Sequence, residues 1–423
     1  MRVAIIHYWF VGMRGGEKVI EQLCAMYPDA DIFTHVYDVG TVSDRIRAHN
    51  VTTSFVGKLP WASKLYKNYL PLMPLALEQL DLRGYDLVIS SEAGPAKGVI
   101  PPPDAVSICY CHSPMRYIWN MAHDYRESAG FIQKLLMPPL SHYIRSWDVN
   151  SSHRVDHFVA NSKTVARRID AYYRRKATVI YPPVDTDSFE CAPADEIGDF
   201  YLMVGQLVAY KRPDLAVEAF NRSGRRLVII GGGEMLAKLK TMAEPNITFL
   251  GPQPFEQLRH HYARCKALIF PGEEDFGIVP VEAMASGRPV IAFNRGGATE
   301  TVVEGLTGVF FEEQTVEALL DACDRLERTS WDSRALVARA RLFDSAEFST
   351  RLKTFIDATI AAPRADHSPF PGWPASPDAV IDTLDGLPDD AVADPPTLYS
   401  VGQDGQYQGR PARYRGRKRR SSL

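Results

Sequence analysis

Two glutamates flank a short segment whose backbone suits a charged ligand. Glu274 and Glu282 stand eight positions apart. The segment between them opens a predicted helix and comprises Phe276, Gly277, Ile278 and Val279. The first N–H groups of a helix have no intrahelical partner, and with the helix dipole they attract anions such as phosphate. Carboxylates accept hydrogen bonds from hydroxyl groups. Glu282 lies one helical turn after Ile278, on the same face of the helix. The pattern predicts a ligand that carries both phosphates and hydroxyls, with a diol such as a ribose on Glu282 and sugar hydroxyls on Glu274.

The sequence around these residues predicts a strand, a loop, a helix and a second strand. ALIFP is a short apolar run closed by Pro271 and Gly272, VEAMAS is rich in helix formers and is followed by Gly287, and PVIAF resumes β propensity. Open α/β sheets bind ligands outside the carboxyl ends of their strands. The loop between the first strand and the helix is therefore the candidate site.

The two glutamates, followed by EAMASGRPVIAFNRGGATE, resemble the donor-binding signature of family four of the retaining glycosyltransferases. The resemblance extends over residues 1 to 362 and implies the GT-B fold, an α/β architecture of two Rossmann-like, doubly wound parallel-sheet domains that face each other across a cleft. It implies that a hexose is transferred from a nucleotide diphosphate, with Glu274 among the catalytic residues and Glu282 on the ribose.

Length and composition agree with two domains. A chain of 423 residues suits two domains of ordinary size. We expect an acceptor-side domain at 1–185, a nucleotide-sugar domain at 186–345, and a helix at 346–362 that crosses back to the first domain. The remainder, 363–423, is rich in Pro and Asp with a basic end, and it is predicted to be disordered.

Charge and cysteine usage limit the class of protein. The net charge of -3 gives no general attraction to nucleic acid, so no nucleic-acid partner is expected. The six cysteines are scattered, as is usual in a reducing compartment. Since no apolar run is long enough to span a bilayer, we expect a cytoplasmic protein, located at the inner face of the cytoplasmic membrane if it binds lipid.

A glycine pair follows the first predicted strand. VAIIHYW reads as a buried strand, and Gly15 and Gly16 begin an amphipathic helix. A plain tight turn would have the same appearance. Next to the downstream signature, however, Gly15, Gly16 and Glu17 resemble the glycine-rich loop that in this family faces the donor diphosphate across the cleft.

His112 stands directly after the predicted strand VSICYC. A single histidine is more often structural than catalytic. The segment HSPMRYIWN nevertheless resembles the His-x-Pro segment of mannosyltransferase-like family members. That resemblance implies that His112 is catalytic, beside the anomeric carbon, and that Arg116 steers a phosphate or an acceptor group.

The second domain begins with a strand and a basic loop, FYLMVGQLVAYKRP. Lys211 and Arg212 suit a diphosphate, although solvated surface is an alternative. The family usually has an Arg and a Lys in this loop. Lys211 matches the Lys, but Gln206 occupies the Arg position, and we expect Arg212 to compensate because a guanidinium binds phosphate in a bidentate manner. In relatives the turn that holds Gln253 contacts the nucleotide base.

No Asp-x-Asp sits directly at the end of a predicted strand, where it could hold Mg²⁺ with the diphosphate, so we expect no metal and no cofactor beyond the nucleotide-sugar substrate. Residues 58–80 combine aromatic and lysine residues, and 131–147 is a second stretch of this kind. Such composition fits a peripheral membrane contact or ordinary core. A lipid-linked or polysaccharide acceptor would agree with the first interpretation.

The combination CHSPMRYIWN and VAYKRPDLAVEAF is most similar to family members that use GDP-mannose for lipopolysaccharide O-antigen or exopolysaccharide. The resemblance therefore implies a hexosyltransferase, and a mannosyltransferase in particular. The alternatives are a hexosyltransferase that uses a UDP-sugar, a nucleotide-sugar epimerase, and an inactive scaffold of the same fold that binds sugar nucleotides.

Overall fold

The computed structural model describes residues 1–122 and 130–362, and the strands 398–401 and 407–410. Side chains are described throughout these ranges except at 131–133 and in the last two strands.

The first sheet is parallel and occupies the first half of the chain. Its strands in the described part are β1 (Val3–His7), β2 (Asp31–Thr34), β3 (Val51–Thr53), β4 (Leu87–Glu92), β5 (Val106–Cys111), β6 (His157–Ala160) and β7 (Ala177–Val179). They lie in the order β3-β2-β1-β4-β5-β6-β7. Every residue of β1 and β4 is buried, as expected for central strands covered on both faces.

The second sheet is also parallel. Its strands are β8 (Tyr201–Val204), β9 (Leu227–Ile230), β10 (Ile247–Gly251), β11 (Leu268–Phe270), β12 (Val290–Phe293) and β13 (Gly308–Phe311). They lie in the order β10-β9-β8-β11-β12-β13. In both sheets the chain first winds outward in one direction and then returns to wind in the other. The predicted class of two doubly wound Rossmann-like sheets is confirmed.

Helices cover the two sheets. They are α1 (Gly15–Met26), α2 (Asp44–Arg47), α3 (Ala62–Leu65), α4 (Met73–Glu78), α5 (Phe131–Ser152), α6 (Lys163–Tyr173), α7 (Pro213–Ser223), α8 (Leu236–Met242), α9 (Phe255–Arg264), α10 (Ile278–Ala285), α11 (Ala298–Thr301), α12 (Val316–Glu327), α13 (Ser333–Arg341) and α14 (Ser345–Ala361). Short 3-10 turns lie at Val39–Thr41, Phe55–Lys58, Tyr66–Leu72, Thr186–Ser188, Ala194–Glu196 and Ala209–Lys211.

The last helix, α14, joins the core of the first sheet. Phe348, Leu352 and Ile356 are buried among the residues of β1 and α1. Burying each of these side chains is worth about 1.5–3 kcal/mol relative to exposure. The Ser349 hydroxyl also donates a hydrogen bond to Gln22 Oε1 at 3.1 Å. The chain therefore leaves the second sheet and returns to the first, and residues 1–361 form one compact unit.

The predicted disordered segment 363–423 lies outside the described residues apart from two strands. β14 (Leu398–Val401) and β15 (Tyr407–Arg410) pair in antiparallel fashion. They belong to a separate unit, residues 362–423.

Candidate active site at the facing strand ends

The candidate residues converge on the switch points of the two sheets. In the first sheet the winding direction changes between β1 and β4, and in the second between β8 and β11. A crevice forms outside the carboxyl ends of the strands at such a point. Gly15 and Gly16 follow β1, and His112 follows β5, the neighbour of β4. Gln206 follows β8 and the loop 271–277 follows β11.

The two helix N-termini at these ends touch. A Cβ atom added at Gly15, the first residue of α1, would lie 2.7 Å from Cδ1 of Ile278, the first residue of α10. A Cβ atom added at Gly16 would lie 2.5 Å from the Tyr8 hydroxyl oxygen. The glycine pair therefore lets the first domain approach the predicted anion site on the second. Two helix N-termini, each attractive to anions, face the same place.

The anion site itself is built around Gly277. This residue precedes α10 with a φ of 88°, in the left-handed region that favours glycine. Ile278 and Val279 are the first two helical residues, and Pro280 follows without an N–H group. The ring of Phe276 is buried and packs in the hydrophobic core, so Phe276 offers the site its backbone and not its side chain.

A second glycine turn, which contains Gly297, packs against the backbone of this loop. Gly297 N donates to the Glu274 carbonyl at 2.8 Å. A Cβ atom at Gly297 would lie 2.2 Å from the Cα atom of Phe276, which leaves no room for a side chain. The RGGATE end of the sequence signature therefore fixes the backbone of the loop.

Lys211 and Glu274 form an ion pair inside the site. Lys211 Nζ lies 2.8 Å from Glu274 Oε1. Burial alone would lower the pKa of Lys211, but the Glu274 carboxylate and Tyr210 raise it above its ordinary value. The strand ends can approach this closely because a Cβ atom at Gly272 would lie only 2.6 Å from the Cα atom of Lys211. A fixed cation and a fixed carboxylate thus stand beside the helix N-terminus.

Arg116 reaches across to the second domain. Its Nη1 lies 3.6 Å from Asp275 Oδ2, and its Nη2 donates to the Glu273 carbonyl at 3.5 Å. The guanidinium also lies over the Tyr210 ring, 4.8 Å from the ring centroid. Arg168, also from the first domain, is paired with Asp275. Arg116 was predicted to steer a phosphate or an acceptor, and the structure places it on the acidic loop.

Glu282 lies one turn into α10, as the spacing predicts. The Tyr262 hydroxyl donates to Glu282 Oε2 at 2.6 Å. Burial raises the pKa of Glu282 above its ordinary value, although the hydrogen bond from Tyr262 and the charges of Lys18 and Lys211 act in the opposite direction. The carboxylate is therefore oriented by Tyr262 while it retains further acceptor capacity for a diol.

Three further predicted residues lie in turns around this centre: Gln206 after β8, Arg212 before α7 and Gln253 after β10. Arg212 has its Nε 3.2 Å from both carboxylate oxygens of Asp214 and its Nη1 3.4 Å from Gln314 Oε1. To replace the cation missing at Gln206, which is exposed, Arg212 would have to leave these partners. Gln253 donates to the Leu250 carbonyl at 2.6 Å and so closes its own turn.

His112 is held by a row of polar side chains. Its Nε2 lies 2.8 Å from Ser91 Oγ, which lies 3.2 Å from His7 Nδ1. His7 Nε2 is in turn 3.7 Å from Glu17 Oε1. Burial and the neighbouring His7 lower the pKa of His112 to about 3, against an opposing effect of Glu17. The imidazole of His112 is therefore neutral at physiological pH.

The sequence analysis did not identify four residues that make contacts at the site or between the two domains. They are His7, Ser91, Arg168 and Glu300. The polar residues at the ends of the apolar strands VAIIH and LVISSE were a usable signal for His7 and Ser91. Glu300 accepts hydrogen bonds from the backbone N–H groups of Lys163 and Thr164, at 2.8 and 3.0 Å, and thus links the second domain to the start of α6. No local pattern indicates that pairing.

The described residues offer no candidate site for a metal ion. Within residues 1–122 and 130–362, no group of three or more His, Cys, Asp or Glu side chains is arranged to bind a metal ion. Independence of metal stays a prediction.

Two facing Rossmann-like domains with their strand ends turned to one cleft define the GT-B class. Two family models match the chain in succession: Glycosyltransferase Family 4 over residues 13–188 and Glycosyl transferases group 1 over residues 186–343. The chain belongs to family four of the glycosyltransferases.

Curated relatives and solved structures agree with this assignment. A D-inositol 3-phosphate glycosyltransferase of Mycobacteroides abscessus is 29% identical over 53% of this chain and 54% of its own length. A GDP-mannose-dependent alpha-(1-6)-phosphatidylinositol monomannoside mannosyltransferase of Mycobacterium tuberculosis is 33% identical over 39% of this chain and 51% of its own length. The chain therefore matches about half the length of these relatives. The structure of Anabaena HepE in complex with UDP superposes with a TM-score of 0.63 at 16% identity, covering 85% of this chain and 100% of that one, which shows the shared fold.

Proposed function

We propose that the protein is a retaining glycosyltransferase that moves a hexose from a nucleotide diphosphate to a saccharide acceptor. The observation that carries this proposal is the placement of three features at the carboxyl ends of the parallel strands: His112 after β5, the Lys211–Glu274 pair in the loops after β8 and β11, and the helix N-terminus at Gly277. Each has a role in the departure of a diphosphate from a sugar.

In the proposed reaction the bond between the anomeric carbon and the diphosphate oxygen breaks. Negative charge then develops on the leaving phosphate. Lys211 and the backbone N–H groups at Gly277 and Ile278 are preorganised to stabilise that charge, which is usually a large term in catalysis. Glu274 gives up its contact with Lys211 and binds sugar hydroxyls, while Glu282 binds the ribose. The acceptor hydroxyl oxygen forms the new bond to the anomeric carbon with retention of configuration, and its proton passes to the departing diphosphate.

The proposed donor is GDP-mannose. The support is the segment CHSPMRYIWN and the similarity to a relative named as GDP-mannose-dependent. A UDP-sugar is the alternative, favoured by the likeness in fold to HepE, which was solved with UDP. Relatives named for D-inositol 3-phosphate further widen the range of acceptors to be tested.

A donor screen tests the proposal. Purified protein is incubated with GDP-mannose, other GDP-sugars and UDP-sugars, with and without EDTA, and release of the nucleoside diphosphate is measured. We expect GDP-mannose to be consumed at an unchanged rate in EDTA. Preferential turnover of a UDP-sugar would establish the alternative donor. Conversion of the sugar without nucleotide release would indicate an epimerase, and no turnover of any donor would favour an inactive scaffold.

We also propose that the acceptor is lipid-linked and that the first domain contacts an anionic membrane. The stretch 58–80 is partly core, since Tyr66, Met73 and Leu77 are buried. It also has exposed apolar residues, of which Trp61 is 75% exposed. Its lysines are exposed as well, namely Lys58, Lys64 and Lys67. Basic and apolar groups on one surface suit an anionic bilayer.

The start of α5 adds to this surface. Leu135 is 72% exposed and Leu136 is 51% exposed. Further along α5, Ile144 packs with Leu70 in one apolar cluster, so the two stretches adjoin. No helix in the described part of the chain is long and apolar enough to cross a bilayer. The contact would therefore be peripheral, at the cytoplasmic face.

Vesicle binding tests the membrane contact. The double variant Leu135→Ser and Leu136→Ser should lose binding to vesicles that contain phosphatidylglycerol, as measured by sedimentation. The matched control is Leu306→Ser with Leu342→Ser, because these leucines are 50% and 53% exposed and lie in the second domain. Equal binding by both variants, or no binding by the native protein, would contradict the proposal.

A further inference from the structure

Four polar residues, from β1, β4, α1 and the residue after β5, form a row beneath the cleft. His7 of β1 and Ser91 of β4 are register partners in adjacent parallel strands. Ser91 is also the register partner of Tyr110 in β5. His112 lies two residues beyond Tyr110, so its side chain falls on the same face of the sheet. The fold of the sheet therefore sets this row, and Glu17 of α1 completes it.

The inner members of the row are shielded from water. His7 and Ser91 are fully buried, and Glu17 is 2% exposed. Burial alone would raise the pKa of Glu17, but the His7 ring and the N–H groups of Arg14 and Glu17 lower it below its ordinary value. The Arg14 N–H donates to Glu17 Oε2 at 2.9 Å. Glu17 is therefore an ionised carboxylate and only accepts hydrogen bonds.

Because Glu17 at one end of the row is an ionised carboxylate, it determines which atoms along the row donate hydrogen bonds and which accept them. Glu17 Oε1 faces His7 Nε2 at 3.7 Å, and a lone pair on that nitrogen would be repelled, so in the neutral form of His7, which the proposal below requires, the proton lies on Nε2. His7 Nδ1 is then an acceptor, and it takes the hydrogen bond of the Ser91 hydroxyl. Ser91 Oγ in turn accepts from His112, whose Nε2 therefore carries the proton.

We propose that Glu17, His7 and Ser91 are positioning residues that hold His112 in the neutral tautomer protonated at Nε2. Nδ1 of His112, which has no hydrogen-bond partner among the described residues, is left as an acceptor for a hydroxyl group of the sugar donor or of the acceptor. The inference rests on the proposed function, since it presumes that His112 meets a substrate. The strongly lowered pKa of His112 agrees with a neutral ring.

One end of the row lies beside Gly15 and Gly16, the glycine pair that is expected to face the donor diphosphate. Glu17 lies in the first turn of α1, directly after Gly15 and Gly16. The group that orients His112 therefore belongs to the helix whose N-terminus faces the diphosphate, so the tautomer of His112 is set by the same element that binds the donor.

Spectroscopy of the full chain tests the tautomer directly. In ¹⁵N-histidine-labelled protein the two ring nitrogens differ in chemical shift according to which one carries the proton, and His112 is assigned by its absence from a His112→Gln spectrum. We expect a single neutral tautomer with the proton on Nε2. Glu17→Gln and Ser91→Ala should each convert His112 to a mixture of tautomers. A proton on Nδ1 in the native protein, or an unchanged spectrum in both variants, would overturn the proposal.

Kinetics provide a second measurement. Ser91→Ala should lower kcat by about tenfold or more with the donor KM within about twofold, because it disorders a positioned group and does not remove a binding contact. Ser91→Thr, which keeps the hydroxyl, should restore most of the rate. An equal loss in Ser91→Thr with native thermal stability would argue against the hydroxyl as the cause.

The chain contains a matched control. His35 and Ser54 are both buried in the same domain, and His35 Nδ1 lies 2.9 Å from Ser54 Oγ. Ser54→Ala removes a comparable His–Ser hydrogen bond, and it should alter neither the His112 spectrum nor kcat. An equal change in Ser54→Ala would show a general effect of stability and reject the proposal. Failure of the donor screen with a normal tautomer result would instead reject only the proposed function.

Discussion

The two halves of the cleft are prepared for a substrate in different ways. On the first sheet, His112 ends a buried row of hydrogen bonds that runs through Ser91 and His7. On the second, Lys211 is paired with Glu274. In the proposed reaction the hydrogen-bonded row keeps its arrangement, whereas the Lys211–Glu274 ion pair separates so that its members can bind phosphate and sugar.

This difference assigns distinct tasks to the two domains. Groups in a buried row do not rearrange when the substrate arrives, which suits orientation of a reacting group. Paired charges keep a partly buried site neutral while it is empty, since an unpaired charge there is costly. We therefore expect changes in the first domain to act mainly on kcat and changes in the second to act on donor binding as well.

The largest effect is expected for His112→Ala. Loss of the group assigned to the reacting sugar should lower kcat by about a hundredfold or more. Nucleotide binding, measured by calorimetry with GDP, should remain close to native because His112 contacts neither base nor ribose in the proposed complex. Near-normal turnover would return His112 to a structural role.

Lys211→Ala should have the next largest effect. It removes a preorganised cation and leaves Glu274 without its partner, and we expect kcat/KM to fall by about a hundredfold. Lys266→Ala is the matched control, because Lys266 pairs with Asp199 and Glu327 elsewhere in the second domain. Similar steady-state kinetics in the two variants would remove Lys211 from the site.

Glu282→Ala should weaken donor binding while leaving kcat nearly unchanged. Loss of a hydrogen bond to a charged group costs about 1.5–3 kcal/mol. The donor KM should rise accordingly. Tyr262→Phe, which keeps the carboxylate but removes the hydrogen bond that orients it, should show a smaller rise. An unchanged donor affinity in Glu282→Ala would place the ribose elsewhere.

The smallest effect is expected for Arg212→Ala. The sequence suggested that Arg212 replaces the cation missing at Gln206, but the structure pairs Arg212 with Asp214. We therefore expect a loss of less than about threefold in kcat/KM, in the range of a partly exposed ion pair. For the same reason Gln206→Arg should leave the rate unchanged or raise it. A tenfold loss in Arg212→Ala would restore the original hypothesis of compensation.

Much of the fold followed from local patterns. The apolar runs ALIFP and PVIAF gave β11 and β12, Pro213 begins α7, and the Ser162 hydroxyl accepts a hydrogen bond at the start of α6. These features depend on residues within a few positions of each other. The family signature added the two-domain architecture.

The missing parts of the site depend on residues far apart in the chain. Arg168 meets Asp275 and Ser91 meets His112 only after the sheets have assembled. No periodicity or spacing connects such pairs. His7 was visible as a polar residue at the end of a buried strand, and its partner could have been sought on the adjacent strand. The ion pair of Arg212 is local by contrast, since Asp214 lies two residues away, but the sequence alone does not decide between this carboxylate and the phosphate that Arg212 was expected to bind.

The hydrogen bonds from Lys163 and Thr164 to Glu300 have a further consequence. The first turn of a helix in one domain is completed by a carboxylate of the other. A rotation that separates the two domains withdraws that carboxylate and leaves two N–H groups of α6 to water. The exchange rates of the Lys163 and Thr164 amide protons therefore report how often the cleft opens, and a donor that closes the cleft should slow both rates together.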